Sequence, residues 1–200
     1  MNRSELKALA KVQIKGRIGV LFVCMLLVTL AGSISSVIPV VGYIAYLLFY
    51  PALMVGYNLV HYNLANGQEP KVEDLFSRFS SWSNAFVYSI VNGLFVFLWS
   101  LLFIIPGIVK ALSYSMGYYI LIENPEMSGM EALNKSKEIM HGHKMELFLL
   151  YLSFVGWTLL SVLACGIPLI YVGPYMNQTL VNFYLNIKPQ EKVIETEVVF

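Results

Sequence analysis

Three long stretches of the sequence contain no Asp, Glu, Lys or Arg, and they constrain the fold more than any other feature. They run from Ile18 to Gln68, from Phe79 to Val109 and from Leu147 to Ile187. A transmembrane helix needs about 20 predominantly apolar residues. The first and third stretches are therefore each long enough for two membrane crossings.

The composition favours the same class of protein. Hydrophobic residues make up 58% of the chain and charged residues 12%, whereas about a quarter of the residues of a soluble domain are charged. The net charge is +1, and the basic residues lie beside apolar segments rather than in a patch of their own. Nucleic acid is therefore not an expected partner.

Proline punctuates the apolar stretches at regular places. Because proline cannot donate to a helical hydrogen-bond ladder and disfavours helix in its predecessor, we expect chain reversals at Pro39, at Pro106 with Gly107, and at Pro168. These turns predict six spans in three hairpins, with the approximate bounds Ile18–Ile38, Val40–Leu64, Ala85–Ile105, Ile108–Ile122, Leu147–Ala164 and Leu169–Ile187. The predicted fold class is all-α, a polytopic membrane helical bundle.

A polar segment precedes each predicted hairpin. Met1–Arg17, Lys71–Asn84 and Ser128–His141 carry apolar residues at helical spacing between polar ones, which predicts amphipathic helices at the membrane surface. Ser128 and Glu131 have the spacing of a capping box. A cleaved signal peptide is the alternative for the first segment, but further apolar spans follow it, where a secreted protein would continue as soluble sequence.

The three hairpins resemble one another in order and spacing. Each contains an Ile-Pro pair at its tip, and self-similarity at a fixed period is typical of repeated units. We therefore expect a single integral membrane domain over residues 1–187, built from possible repeats 1–64, 71–122 and 128–187, followed by a cytoplasmic tail over 188–200.

Charge predicts the orientation of the domain. Of the 13 basic residues, all but Lys110 lie in the terminal segments and the two long loops. Cytoplasmic loops carry an excess of Lys and Arg. Both termini are therefore expected in the cytoplasm of a cell whose plasma membrane the chain crosses.

The sequence contains no recognisable catalytic, cofactor or metal-binding motif. His141 and His143 lie two residues apart, on opposite sides of a helix, with no further ligand nearby in sequence. Cys24 and Cys165 are expected at different membrane depths and therefore unpaired. Because no carboxylate lies within a predicted span, a proton- or cation-coupled carrier is disfavoured.

Neutral polar and small residues remain inside the spans. Asn92, Asn177 and Asn182 are candidates for a polar path, although such groups most often form hydrogen bonds between helices. Small residues that would allow close helix packing lie on two faces of the fourth span, Ala111 with Ser115 and Ser113 with Gly117.

Two runs, IPGIVKALSYSMGYYIL and NPEMSGMEALNKSKEIMHGHKMELF, together with the later PY…LVNFY segment, resemble a bacterial integral membrane family catalogued as domain of unknown function 975. The family occurs mainly in Gram-positive bacteria. The resemblance covers most of the chain and implies a multi-pass plasma-membrane protein without assigning catalytic residues.

Two functions are consistent with these features. The first is a non-enzymatic membrane protein that acts through anionic lipid headgroups, a protein partner or a second copy of itself, using its basic and aromatic surface segments. The second is a transporter, or an export or immunity factor, for a small or peptidic solute. An intramembrane enzyme is a more distant alternative.

Overall fold

The computed structural model describes residues 2–37, 39–164 and 166–189, and all regular secondary structure within this part of the chain is helical. Ile38, Cys165 and most of the predicted tail, residues 190–200, lie outside that part. The α-helices are α1 Arg3–Ile14, α2 Ile18–Val37, α3 Pro39–Ala65, α4 Trp82–Leu102, α5 Ile104–Tyr114, α6 Gly117–Glu123, α7 Gly129–Ile139, α8 Lys144–Leu163 and α9 Leu169–Ile187.

Helix α1 packs against the rest of the helical bundle. Asn2 and Glu5 form a capping box at its start, which satisfies two free amide groups. Its apolar residues Leu6, Ala10 and Ile14 are buried, and α9 is the helix against which it packs most extensively. The face predicted to lie on the membrane surface is therefore covered by α9. Helix α1 is bent by 98° from the first part of α2.

The segment predicted as a second amphipathic helix, Lys71–Asn84, is not one continuous helix. It forms two short 3-10 helices, Val72–Leu75 and Phe79–Ser81, before α4 begins. The backbone of Leu75 lies so close to Gly56 of α3 that a Cβ at Gly56 would overlap it. This direct backbone contact with α3, which the periodicity of the segment does not reveal, accompanies the irregular structure.

Two of the prolines predicted at chain reversals, Pro39 and Pro168, lie at the start of a helix. Helix α3 begins at Pro39, and Pro168 immediately precedes α9. The second reversal is at Phe103, not at Pro106 and Gly107 as predicted, because Phe103 is the extended residue between α4 and α5. Pro106 is tolerated in the first turn of α5, where amide groups have no helical acceptor.

Gly107 has a packing role in place of the predicted turn. It is buried, and a Cβ at this position would overlap Ser100 of α4. The absence of a side chain therefore lets α4 and α5 approach closely just below the tip of their hairpin.

The predicted fourth span is interrupted in the middle. Helix α5 ends at Tyr114 and α6 begins at Gly117. Ser136 of α7, which is fully buried, bridges the break: its hydroxyl donates to the Ser113 carbonyl oxygen over 2.9 Å and accepts from the Met116 amide over 3.1 Å. These bonds satisfy two of the backbone groups that the interruption frees.

Four segments of the described chain are long and apolar enough to cross a membrane. They are Val40–Ala65, Val72–Leu101, Ile104–Glu123 and Lys144–Leu163, and a fifth results if α1 and α2 count as one bent span. Helix α9 is not among these segments. The protein is therefore a helical membrane protein with four or five candidate spans.

Burial is unevenly distributed along the hairpins. The hairpin ends carry large exposed apolar side chains, such as Leu101, Ile105 and Leu163, which are 74%, 74% and 81% exposed. By contrast, Ile14 of α1, Leu133 of α7 and Tyr184 near the end of α9 are almost fully buried. The molecule thus combines a packed layer, which contains α1, α6 and α7, with apolar hairpin ends suited to hydrocarbon.

Candidate functional site

A chain of amide hydrogen bonds joins α1 to α9. Gln13 of α1 accepts at its Oε1 from Gln178 Nε2 over 3.0 Å and from Asn182 Nδ2 over 2.8 Å. Its Nε2 donates to the Ala65 carbonyl oxygen over 3.4 Å. Because a carbonyl oxygen can only accept, the Ala65 contact fixes the orientation of the Gln13 amide, and this in turn fixes Gln178 and Asn182.

The same chain determines the tautomer of a buried histidine. Gln178 presents its Oε1 to His61 Nδ1 at 3.1 Å, so Nδ1 must carry the hydrogen. His61 Nε2 is then a bare acceptor, and it is buried without a hydrogen-bond partner among the described residues. His61 is 0% exposed, so its role here is to terminate a hydrogen-bonded network inside the bundle.

The three residues predicted to form a polar path are not brought together. Asn182 belongs to the amide chain, and Asn177 donates to the Tyr57 hydroxyl and to the Gly173 carbonyl oxygen, each over 3.0 Å. Asn92 lies on α4, and its buried Oδ1 has no hydrogen-bond partner in the described structure. Both α9 amides therefore form bonds within the protein, and Asn92 lies apart from them.

The two predicted small-residue faces differ in burial. Ala111 is exposed and Ser115 half-buried, whereas Ser113 is 1% exposed and Gly117 is buried. A Cβ at Gly117 would overlap the ring of Tyr88 on α4. The Tyr88 hydroxyl in turn donates to the Tyr114 carbonyl oxygen. The face formed by Ser113 and Gly117 is therefore the packed one.

A carboxylate at the end of α6 connects three helices. Glu123 accepts hydrogen bonds from the Tyr62 hydroxyl of α3 over 2.6 Å and from the Tyr184 hydroxyl of α9 over 2.7 Å. Lys188, which follows α9, forms an ion pair with the same carboxylate. Burial alone would lower the pKa of Lys188, but the hydrogen bond and charge of Glu123 outweigh it and raise that pKa.

This cluster forms one wall of a cavity that is lined by charged residues. The cavity has a volume of about 420 Å³ and is lined by the ends of α6, α7 and α9. Its lining residues are Glu123, Asn124, Lys135, Ile139, Tyr184, Lys188 and Pro189. Lys135 is exposed, so it adds a cation that can reach a bound group while Lys188 is held by Glu123.

The described residues lack a cluster of metal ligands. They contain no group of three or more His, Cys, Asp and Glu side chains that could hold a metal ion. His143 Nδ1 lies 3.3 Å from a Glu146 carboxylate oxygen, and both side chains are exposed. The site is suited to binding an ionic or hydrogen-bonding group.

Sequence reasoning did not predict the roles of Gln13 and Glu123. The predicted fourth span ends at Ile122, and Glu123 follows it as the first charged residue after Lys110. A carboxylate directly after an apolar run, with tyrosines in other spans, is a detectable signal for a hydrogen-bonded cluster at the membrane boundary. Gln13 gave no comparable signal, because an uncharged residue on an amphipathic helix has many ordinary roles.

Comparison with known proteins identifies the family. The family model described as a protein of unknown function, DUF975, matches residues 1–113 and 102–191. The chain belongs to the DUF975 family. This confirms the resemblance noted in the sequence. No curated protein and no solved structure matches the chain.

Proposed function

We propose that this DUF975 protein is a non-catalytic, multi-pass protein of the plasma membrane that binds lipids with anionic headgroups at its cytoplasmic face. The observation that carries the proposal is the 420 Å³ cavity, whose lining includes Lys135 of α7, Lys188 after α9, and Glu123 at the end of the candidate span Ile104–Glu123. Phosphate headgroups occupy this boundary region, and each Lys or Arg near an anionic surface contributes about 1 kcal/mol to binding.

The distribution of charge supports the orientation. The cavity lies at the packed layer that contains the ends of α3, α6 and α9, where the chain is polar. Lys and Arg accumulate in cytoplasmic loops, so we place this layer and both termini in the cytoplasm. The apolar parts of the hairpins then lie in the bilayer, and the turn between α8 and α9 reaches the outer face.

The test compares two lysines of the same helix. Thermal stability is measured in nanodiscs of phosphatidylcholine with and without phosphatidylglycerol. Lys135→Gln should lose part of the stabilisation by phosphatidylglycerol, because Lys135 lines the cavity. Lys137→Gln should retain it, because Lys137 is exposed and is not among the lining residues. Equal stability of the unmodified protein in both lipids would refute the proposal.

A protein partner at the same face, including a second copy of the chain, is an outcome of this test. It would be supported if the protein showed no response to phosphatidylglycerol but formed a dimer whose dissociation constant depended on Lys135.

The transporter function rests on a different observation, the row of neutral amides on α9. Asn177 and Asn182 already bond to Tyr57 and Gln13, so solute passage would require these bonds to open. Flux of a peptide or small solute into vesicles reconstituted with the protein, reduced by Asn182→Ala, would favour this function over lipid binding.

A further inference from the structure

A second surface with the geometry of a lipid site lies between α5 and α8. The two helices contact each other, and a groove of about 270 Å³ runs along the contact. Its lining residues are Ile105, Ile108, Val109, Leu112, Lys144, Met145 and Phe148. Apart from the ammonium group of Lys144 these side chains are apolar, so the groove fits a hydrocarbon chain.

Lys144 marks one end of the groove. It is the first residue of the candidate span Lys144–Leu163, and therefore lies where headgroups meet hydrocarbon in the proposed orientation. Its side chain can extend along the groove while its ammonium reaches the headgroup region. An acyl chain that continues from this point would follow Met145 and Phe148 into the span.

The charged side chains near this end of the groove are Lys144, Glu146 and Lys110. Glu146 lies two residues beyond Lys144, on the opposite side of α8, and lines a different cavity together with Asn2 and Arg3. Lys110 of α5 lies over the ring of Trp99, 4.6 Å from its centroid, and is not among the groove residues. Lys144 is thus the charged side chain of the groove.

The start of α8 adds a second feature that favours an anion. His143 precedes the helix and makes no side-chain capping bond to it. The first amide groups of a helix lack acceptors within the helix, and its positive dipole end favours phosphate. An apolar groove, a lysine and an uncapped helix start therefore meet at one place.

We propose that the groove between α5 and α8 binds one anionic phospholipid, with its phosphate at Lys144 and the start of α8 and one acyl chain along Ile108 and Val109. The inference deepens the proposed function and rests on it for the orientation. It assigns the lipid to a specific position outside the cavity at Glu123.

The test uses the full-length protein in detergent, with native mass spectrometry to count bound phosphatidylglycerol and phosphatidylcholine. Lys144→Gln should weaken phosphatidylglycerol binding about fivefold, which corresponds to the loss of about 1 kcal/mol. Ile108→Trp should weaken binding of the same lipid by filling the groove. Ile108 is 44% exposed, so the larger side chain is compatible with folding.

Two matched controls accompany these variants. Lys137→Gln removes an equal charge from α7, outside the groove, and Leu159→Trp adds an equal bulk at a position of α8 that is 61% exposed. Both should bind phosphatidylglycerol as the unmodified protein does. Circular dichroism verifies that all four variants are folded.

Each outcome decides between the two proposals. Unchanged phosphatidylglycerol binding in Lys144→Gln, or equal binding of phosphatidylcholine, overturns the groove proposal. If Lys135→Gln still reduces stabilisation by phosphatidylglycerol in that case, the proposed function stands without the groove. If neither lysine matters, both proposals fail.

Discussion

Gly117 is the residue at which the packing of the second hairpin is most sensitive. Because a Cβ would overlap the Tyr88 ring, we expect Gly117→Ala to destabilise the protein by about 1–3 kcal/mol, the usual range for overpacking. The midpoint of thermal unfolding in detergent, monitored by circular dichroism, measures this effect.

Gly93 supplies the control for this substitution. It lies within α4, and nothing would lie within 4 Å of a Cβ there. Gly93→Ala should be neutral or slightly stabilising, because alanine favours helix over glycine. A Gly117→Ala variant as stable as Gly93→Ala would contradict the close contact with Tyr88.

The ion pair between Arg17 and Glu69 gives a residue with a predictable pH dependence. Arg17 Nε donates to Glu69 over 3.0 Å, and this hydrogen bond holds the pKa of Glu69 below its ordinary value of 4.5. A carboxylate with a lowered pKa contributes stability above its unfolded-state pKa, and the contribution is lost as the pH falls through the lowered value.

We therefore expect Glu69→Gln to lower the unfolding temperature slightly at pH 7 and to have no effect in acid below the lowered pKa. The effect is small because the pair is exposed and screened by salt. Glu73→Gln removes an exposed acid for which no ion pair is described, so it is the control for the loss of a carboxylate as such. A Glu69 effect of the same size at every pH would contradict the assignment.

At the scale of elements, the break between α5 and α6 depends on a neighbouring helix. Ser136 bonds to both backbone groups at the break. Ser136→Ala would leave the Met116 amide and the Ser113 carbonyl without this partner, and an unsatisfied buried polar group costs about 1–3 kcal/mol. We expect a lower unfolding temperature, whereas Ser80→Ala at an exposed position should have no effect. Equal stability of the two variants would contradict the bridging role of Ser136.

Sequence patterns identified the elements that are determined by residues close together in the sequence. The run from Ile18, the capping box at Ser128 and the proline before α9 each act within a few residues, so periodicity and composition were sufficient. The single helix predicted over residues 71–84 was wrong, and the backbone of Leu75 there lies against Gly56, which is distant in sequence. The chain reversal predicted at Pro106 was wrong because a proline is accommodated in the first turn of a helix as well as in a chain reversal.

The candidate site was harder to predict for the same reason. The cluster around Glu123 joins α3, α6 and the end of α9, and its hydrogen bonds connect residues that are 61 to 65 positions apart. No local spacing encodes such a meeting. Asn177 and Asn182 were predicted as candidates for a polar path, and their partners Tyr57 and Gln13 became evident only from the structure.

At the scale of the whole molecule, the proposed orientation can be tested with single cysteines. The first variant is Ile167→Cys in a chain that also carries Cys165→Ser. Ile167 lies in the last hairpin turn, and it is 70% exposed. An impermeant maleimide should label this variant in intact cells. Lys137→Cys on α7 should react only after the cells are opened. The buried Cys24 should remain unlabelled. Labelling of Lys137→Cys in sealed cells would invert the orientation.

The contact between α5 and α8 has a consequence for the bilayer itself. Helix α5 has 11 residues, about 16 Å of helix, and the first turn of α8 lies beside it. The segment Ile104–Glu123 is long enough to cross a membrane as a whole. If α8 enters the membrane at the cytoplasmic face, however, only α5 lies beyond that entry point, and the hairpin tip at Phe103 reaches about half of the roughly 30 Å hydrocarbon core. Phe103→Cys should then stay silent in the same labelling experiment. A hairpin of this depth occupies more of one leaflet than of the other. We therefore expect the protein to be more stable in bilayers of short acyl chains, where the mismatch between hairpin length and hydrocarbon thickness is smaller.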